Sequence, residues 1–311
     1  MTMNPALNFD GAHWVDGHSQ RLCLLPSAGG GVAAWQWLRG GEPVDLWRPW
    51  DGKTTRMQAL ASYPLLPWSN RISDGGFEHA GRFHLLQPNT PDDPYPIHGD
   101  GWQQPWTLVD PGPDGAAMVL RSESFGGSPY VYEARQGFTL SDGGLLQTLT
   151  VTNRGPEALP FGLGQHPWFT RTPGCRLTTG VAGVWKSRPD RIPTSYSTEF
   201  PEGWDLNAGA MVDRLVIDNG FGGWSGEALI EWPERNLALR MQGTLTLPDG
   251  SPGRPDCLLY APAAPPVFCF EPISHPINAA HWPGRPGWVA LAPGQSMSLE
   301  VQWRFDRIQP S

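Results

Sequence analysis

The clearest signal along the chain is strict alternation of apolar and polar side chains. In "LEVQWRF", Leu299, Val301, Trp303 and Phe305 fall on one face and Glu300, Gln302 and Arg304 on the other. That is the period-two pattern of a strand with one buried and one wet face. "LLQTLTVTN" repeats it, setting Leu145, Leu149 and Val151 against Thr148, Thr150 and Thr152, and both stretches predict antiparallel sheet. Turn chemistry separates the runs at "SDGG" from Ser141, "NRGPE" from Asn153, "LPDGSPG" from Leu247 and "APGQ" from Ala292. One run departs from alternation. In "VFCFEPISHPINA", Val267 to Phe270 is apolar on both faces, as in a central strand, and leads straight into Glu271 and Pro272.

Composition sharpens the all-β expectation. The 38 glycines and 34 prolines are spread over all 311 residues, leaving few windows in which a helix runs for three turns. No linker-like shift, fixed-period repeat or low-complexity tract appears, so residues 1–311 are expected to form one large β-sandwich domain of two or more packed antiparallel sheets. The 16 tryptophans exceed what such a core needs. Most are expected to pack, and a minority to offer flat rings to the C–H faces of a ligand.

Charge narrows the partners. The net charge of −8 with no basic run argues against nucleic acid and against an anionic membrane surface, and favours a neutral small molecule. Cys23, Cys175, Cys257 and Cys269 are far apart, with no zinc spacing, and read as buried free thiols in a reducing compartment. No metal site is implied. The opening "MTMNPALNFDGAHWVDGHSQ" lacks a basic segment followed by an apolar one, and no apolar run reaches membrane-spanning length, so a cytoplasmic location is expected.

Few residues are candidates for chemistry. Glu271, at the end of a buried run, must be paired, protonated or used, unless it is a surface glutamate at a strand exit. His166, in "PFGLGQHPWF", precedes Pro167, which biases it to an extended backbone. If Phe161 to Gln165 is a strand, His166 stands at its exit as a core residue or a proton donor, with Trp168 and Phe169 behind it. His98, in "YPIHGDGW", sits at a strand-to-turn change where Gly99 and Gly101 permit close backbone approach. Arg71, in "PWSNRISDGGF", either anchors a turn or aims its donors at a hydroxylated ligand. Asp218, in "LVIDNGFGGW", either binds a ligand or makes an Asx turn. Other chemistries fit less well. Ser225 lacks the last glycine of a nucleophile elbow, "FGLGQHP" has proline where a dinucleotide loop needs glycine, and His79 and His84 are expected to flank a hairpin turn.

In order along the chain, "NRISDGGFEHAGRFHLLQPN", "IHGDGW", "GLGQHPWF", "LVIDNGF", "FEPISHPINA" and "LAPGQSMSLEVQW" resemble the landmarks of the aldose 1-epimerases, or galactose mutarotases. Strands near "RLCLLPSAGGGVAAWQW" fit that family's opening sheet. The resemblance implies a large antiparallel β-sandwich and an isomerase that interconverts the α and β anomers of free hexoses, such as galactose or glucose, without a cofactor. It implies Glu271 as the base that takes the C1 hydroxyl proton, His166 as the acid that protonates the ring oxygen, and His98 as a second histidine near that oxygen. Arg71, Asp218 and Asn70 would bind hydroxyls. Ring opening needs one group to accept a proton and another to donate one, with both pKa values near working pH. A histidine is expected to manage this unperturbed, whereas a glutamate must be raised by burial. Two alternatives stand beside this reading: an epimerase for a phosphorylated or sulfonated hexose, which would want additional arginines at the site, and a carbohydrate-binding sandwich without catalysis.

Overall fold

The computed structural model of the chain describes residues 11–54, 56–91 and 93–308. Residues 1–10, half of the segment read for an export signal, lie outside them. The fold is an antiparallel β-sandwich, and helix among the described residues is confined to three-residue 3-10 turns. Among the described residues no helix is long and apolar enough to cross a membrane.

The larger sheet has ten strands, with Leu237–Thr246, Ser296–Asp306, Gly144–Asn153 and Val131–Ser141 side by side at its centre. The alternation read from sequence sets its register. Leu145 faces Trp303 and Leu149 faces Leu299 across one ladder, all four buried, while Glu300 and Arg304 stay exposed. "SDGG" makes the hairpin between Val131–Ser141 and Gly144–Asn153, with Gly143 at φ 70° supplying the left-handed turn residue. The opening segment forms the expected small sheet from His13–Gly17, Gln20–Leu25, Gly31–Arg39 and Glu42–Asp45. His79 and His84 flank a hairpin turn, and all four cysteines are buried and free.

Most tryptophans do pack. Trp35, Trp47 and Trp303 are fully buried, with Trp47 edge-on to Trp35 at 5.0 Å and to Trp303 at 5.3 Å. Such pairs add about 0.5–1.5 kcal/mol beyond simple burial.

The second large sheet has eight strands, among them Ile217–Gly222, Asp256–Ala261, Val267–Ile273 and Gly164–Gln165. Two expectations are corrected here. The apolar run at Val267 does not end before the glutamate: the strand continues through Glu271 to Ile273, buried throughout, because Asp256–Ala261 pairs along it and sets Leu258 opposite Glu271. Phe161 to Gln165 is not one strand. Leu159–Phe161 pairs with Val289–Leu291 in a separate two-stranded sheet, and Gly164–Gln165 belongs to the eight-stranded sheet. Between them the backbone donors turn elsewhere, Gly162 to the Pro67 carbonyl (2.7 Å) and Leu163 to the Ser274 hydroxyl (2.9 Å).

Candidate active site

The pleat gives the strand Val267–Ile273 two unlike faces. Phe268 and Phe270 join the main core, whereas Val267, Cys269 and Ile273 join a smaller cluster with Tyr63, Trp102 and Trp168. Glu271 lies on this second face and lines a cleft of about 390 Å³. His166 arrives at the same cleft because the short strands on either side of it, Gly164–Gln165 and Trp168–Thr170, both pair with Val267–Ile273. Its backbone N–H donates to the Tyr63 carbonyl (3.0 Å). Its Nε2 comes within 3.3 Å of Glu271 Oε1.

The histidine ring is held on several sides. Tyr63 stacks on it at 4.5 Å, Trp168 lies tilted at 5.2 Å, and His98 meets it edge-on at 5.3 Å. Phe169, expected behind the ring, instead packs against Phe268 and Trp303 in the core. Adjacent strand residues point to opposite faces, so Trp168 and Phe169 cannot both wall one site.

Burial sets the protonation of the pair. It pushes the Glu271 carboxyl well above the usual carboxylate range, helped by the negative Asp218 and opposed by Arg71. It also lowers His166 to about 3, so the expectation that this histidine titrates unperturbed fails: a fully enclosed imidazole loses the hydration its cationic form needs. Burial thus favours the protonated carboxyl and the neutral imidazole. Glu271 Oε2 and His166 Nδ1 have no hydrogen-bond partner, and the carboxyl of Glu271 is in a residue only 1% exposed.

His98 is placed by backbone conformation. It and Gly99 both adopt left-handed φ, 63° and 65°, and a Cβ on Gly99 would stand 2.0 Å from the Leu66 carbonyl oxygen, so only glycine fits there. The His98 N–H donates to the Asn70 carbonyl (3.0 Å), and its Nδ1 accepts the Asn70 N–H (3.1 Å). Burial, then the neighbouring His166 and the charge of Arg71, push its pKa well below the usual histidine value. With Nδ1 accepting, the ring hydrogen belongs on Nε2, which makes His98 a donor. Beneath the loop, the buried Asp100 accepts from the Tyr132 hydroxyl and from Gln104 Nε2 (3.0 Å), and burial pushes its carboxyl up to about 6.

The remaining sequence candidates converge on the same cleft. Arg71 donates from Nε to Asp93 (2.7 Å) and lies 3.8 Å from Asp218. Asp218 is the second residue of the strand Ile217–Gly222, opposite Tyr260; it is not an Asx turn, and burial raises its carboxyl. Asn70 serves Arg71 first, its Oδ1 accepting from the Arg71 backbone N–H (2.9 Å) and from Arg71 Nη1 (3.1 Å). Tyr63, Trp102, Asp93 and Arg191 were not anticipated. Arg191 binds Asp218 through Nε at 2.8 Å. Cys269 was classed as a bare buried thiol, yet standing two residues before Glu271 in one strand it had to share the glutamate's face. A second depression of about 480 Å³ on the ten-stranded sheet, lined by Thr178, Arg240 and Gln302 among others, has no histidine or cysteine in its wall.

Residues 14–304 match the family model described as aldose 1-epimerase. The chain belongs to the aldose 1-epimerase family. Within reach of that family, the Escherichia coli K12 protein YphB, itself uncharacterized, is 36% identical over 287 residues, covering 91% of this chain and 96% of YphB. A solved E. coli K12 structure, provisionally described as an aldose 1-epimerase, superposes with a TM-score of 0.85 at 31% identity, covering 96% of this chain and 99% of that one. A galactose mutarotase-like protein from Clostridium acetobutylicum shares the fold, with a TM-score of 0.81 at 20% identity and 95% coverage of both chains. Family and fold together support a carbohydrate epimerase.

Proposed function

We propose that the protein is a mutarotase that interconverts the α and β anomers of free hexoses such as galactose and glucose. The observation that carries this reading is the His166–Glu271 dyad, 3.3 Å apart and buried at a cleft wall. Opening a pyranose ring moves one proton off the C1 hydroxyl and puts one on the ring oxygen. A pair that holds one proton between an acid and a base is what this exchange needs.

In the proposed cycle, sugar binding draws the Glu271 proton onto His166, a transfer within hydrogen-bond reach. The carboxylate then takes the C1 hydroxyl proton while the imidazolium protonates the ring oxygen, and the C1–O5 bond breaks to give the open aldehyde. Rotation about C1–C2 presents the other carbonyl face, and closure runs the transfers backwards, restoring the dyad. Nε2–H of His98 is available to the ring oxygen, and Arg71 and Asp218 to sugar hydroxyls. Trp102 and Trp168 offer apolar faces.

Two features favour an uncharged sugar over an anionic one. Arg71 and Arg191, guanidinium groups of the cleft, are already bonded to Asp93 and Asp218. Among the described residues lining the cleft, Asp93 and Asp218 stand beside Arg71 and Arg191 and offset their charge. Against a binding module stands the carboxyl of Glu271, whose burial without a partner for Oε2 costs free energy that recognition alone does not require.

Polarimetry on freshly dissolved α-D-galactose and α-D-glucose tests the reading. The protein should speed the approach to anomeric equilibrium over buffer, and Glu271→Gln should not. Acceleration confined to hexose 6-phosphate or a sulfonated hexose would shift the substrate to the anionic class. No acceleration with any of these would favour the binding module.

A further inference from the structure

The cleft face of Val267–Ile273 also assembles a set of metal donors. The pleat puts Cys269 and Glu271 on one side of the strand, and the neighbouring segment lays His166 over them. One ligand atom from each of His166, Cys269 and Glu271 lies within 4.8 Å of the other two, and all three residues are buried. In a tetrahedral zinc site with bonds of about 2.0–2.3 Å, ligand atoms stand about 3.5 Å apart, so shifts of an ångström or so close the triangle. Nε2 of His166 already stands 3.3 Å from Glu271 Oε1.

A second observation points to a ligand here. Glu271 Oε2 is buried and without a hydrogen-bond partner, an acceptor that a cation would satisfy. The donor chemistry selects the ion. Thiolate, imidazole and one carboxylate suit a borderline-soft divalent ion, whereas Mg²⁺ and Ca²⁺ require oxygen cages. Three protein ligands leave a fourth position, which the adjoining cleft can fill with water.

We infer that His166, Cys269 and Glu271 form an inhibitory binding site for Zn²⁺. Binding releases the thiol proton of Cys269 and the carboxyl proton of Glu271 to solvent, with no change of oxidation state. The ion occupies both groups that the proposed mutarotase reaction uses, so metal and sugar exclude one another. The inhibitory part rests on that proposed function; the binding part does not.

Co²⁺ serves as the spectroscopic probe on the full chain after treatment with a chelator. One Co²⁺ per chain should bind with a thiolate-to-metal charge-transfer band, Zn²⁺ should displace it, and excess Mg²⁺ should not. Cys269→Ala should lose the band and weaken Zn²⁺ binding by more than the roughly 10–100-fold that loss of an outer-shell partner costs. If the alanine variant does not fold, Cys269→Ser keeps the packing and carries the same expectation for the band. In polarimetry, Zn²⁺ should abolish acceleration and chelator restore it, with each Cys269 variant, against its own metal-free rate, at least tenfold less sensitive. Absence of stoichiometric Co²⁺ binding, or binding that the Cys269 variants leave intact, overturns the site. A charge-transfer band in a protein that accelerates no sugar would leave the site standing and sink the mutarotase reading instead.

Discussion

His166 Nε2 stands 3.3 Å from Glu271 Oε1, and the outer atom of each group, Oε2 and Nδ1, has no hydrogen-bond partner among the described residues. General acid–base catalysis contributes about 10²–10⁴-fold. Glu271→Gln keeps the shape and removes the exchangeable charge, so the enzymatic rate should fall by at least 10²-fold. In the proposed cycle both members act on one proton circuit, so His166→Asn with Glu271→Gln should be little slower than either single variant. Multiplying losses in the double variant, measured by polarimetry, would argue that the two groups work independently.

Asp218 reaches the cleft between Arg71 and Arg191 and is paired with them, bearing on the Glu271 carboxyl through its charge. Asp218→Asn should therefore raise KM about tenfold, in line with loss of a charged hydrogen bond, while kcat changes much less. A fall in kcat at unchanged KM would place Asp218 in the chemical step.

Gly99 sits at φ 65° with the Leu66 carbonyl 2.0 Å from where a Cβ would be. Gly99→Ala should cost about 2–4 kcal/mol in urea unfolding, from backbone strain and overpacking together. It should also displace His98. Unchanged stability would mean that the loop relaxes freely.

Asp100 gives a pH signature. Its folded carboxyl is pushed up to about 6 from about 3.9 in an unfolded chain, so the folded state holds the proton more tightly. The stabilisation from keeping it neutral is complete below about pH 4 and is lost as pH rises through about 6, a swing of about 3 kcal/mol at most. Asp100→Asn mimics the protonated acid. Its unfolding temperature should match wild type near pH 4 and exceed it near pH 8; equal curves at both values would show that Asp100 does not titrate in this window.

Much of the fold was legible because its signals are local. Alternation at Leu299–Phe305 and at Leu145–Thr152 names its own buried face, and "SDGG" names its own turn. Glu271, His166, His98, Arg71 and Asp218 were found through ordered motifs, and the structure brings them to one cleft. What escaped depends on pairing between distant segments. Nothing in "ASYPLLPW" marks Tyr63 as the ring that stacks on His166, since that contact exists only because the two segments meet across the sheet. Arg191 and Asp93 carry no motif. The histidine's pKa was misjudged because burial on all sides is a property of the assembled cleft. Cys269 is the exception, as period-two alternation from Glu271 already put it on the cleft side.

The two-faced strand Val267–Ile273 has a bearing on how such a protein changes over time. Phe268 and Phe270 are anchored in the main core, while Glu271 lines the cleft from the opposite face of the strand, with Cys269 packed in the small cluster on that face. A shift of backbone that accommodates a new core side chain at Phe270 is transmitted one peptide away to the carboxyl of Glu271. Drift in the interior is thus coupled to the position of that carboxyl, and variants selected for hardiness alone will arrive with the geometry of the cleft already altered.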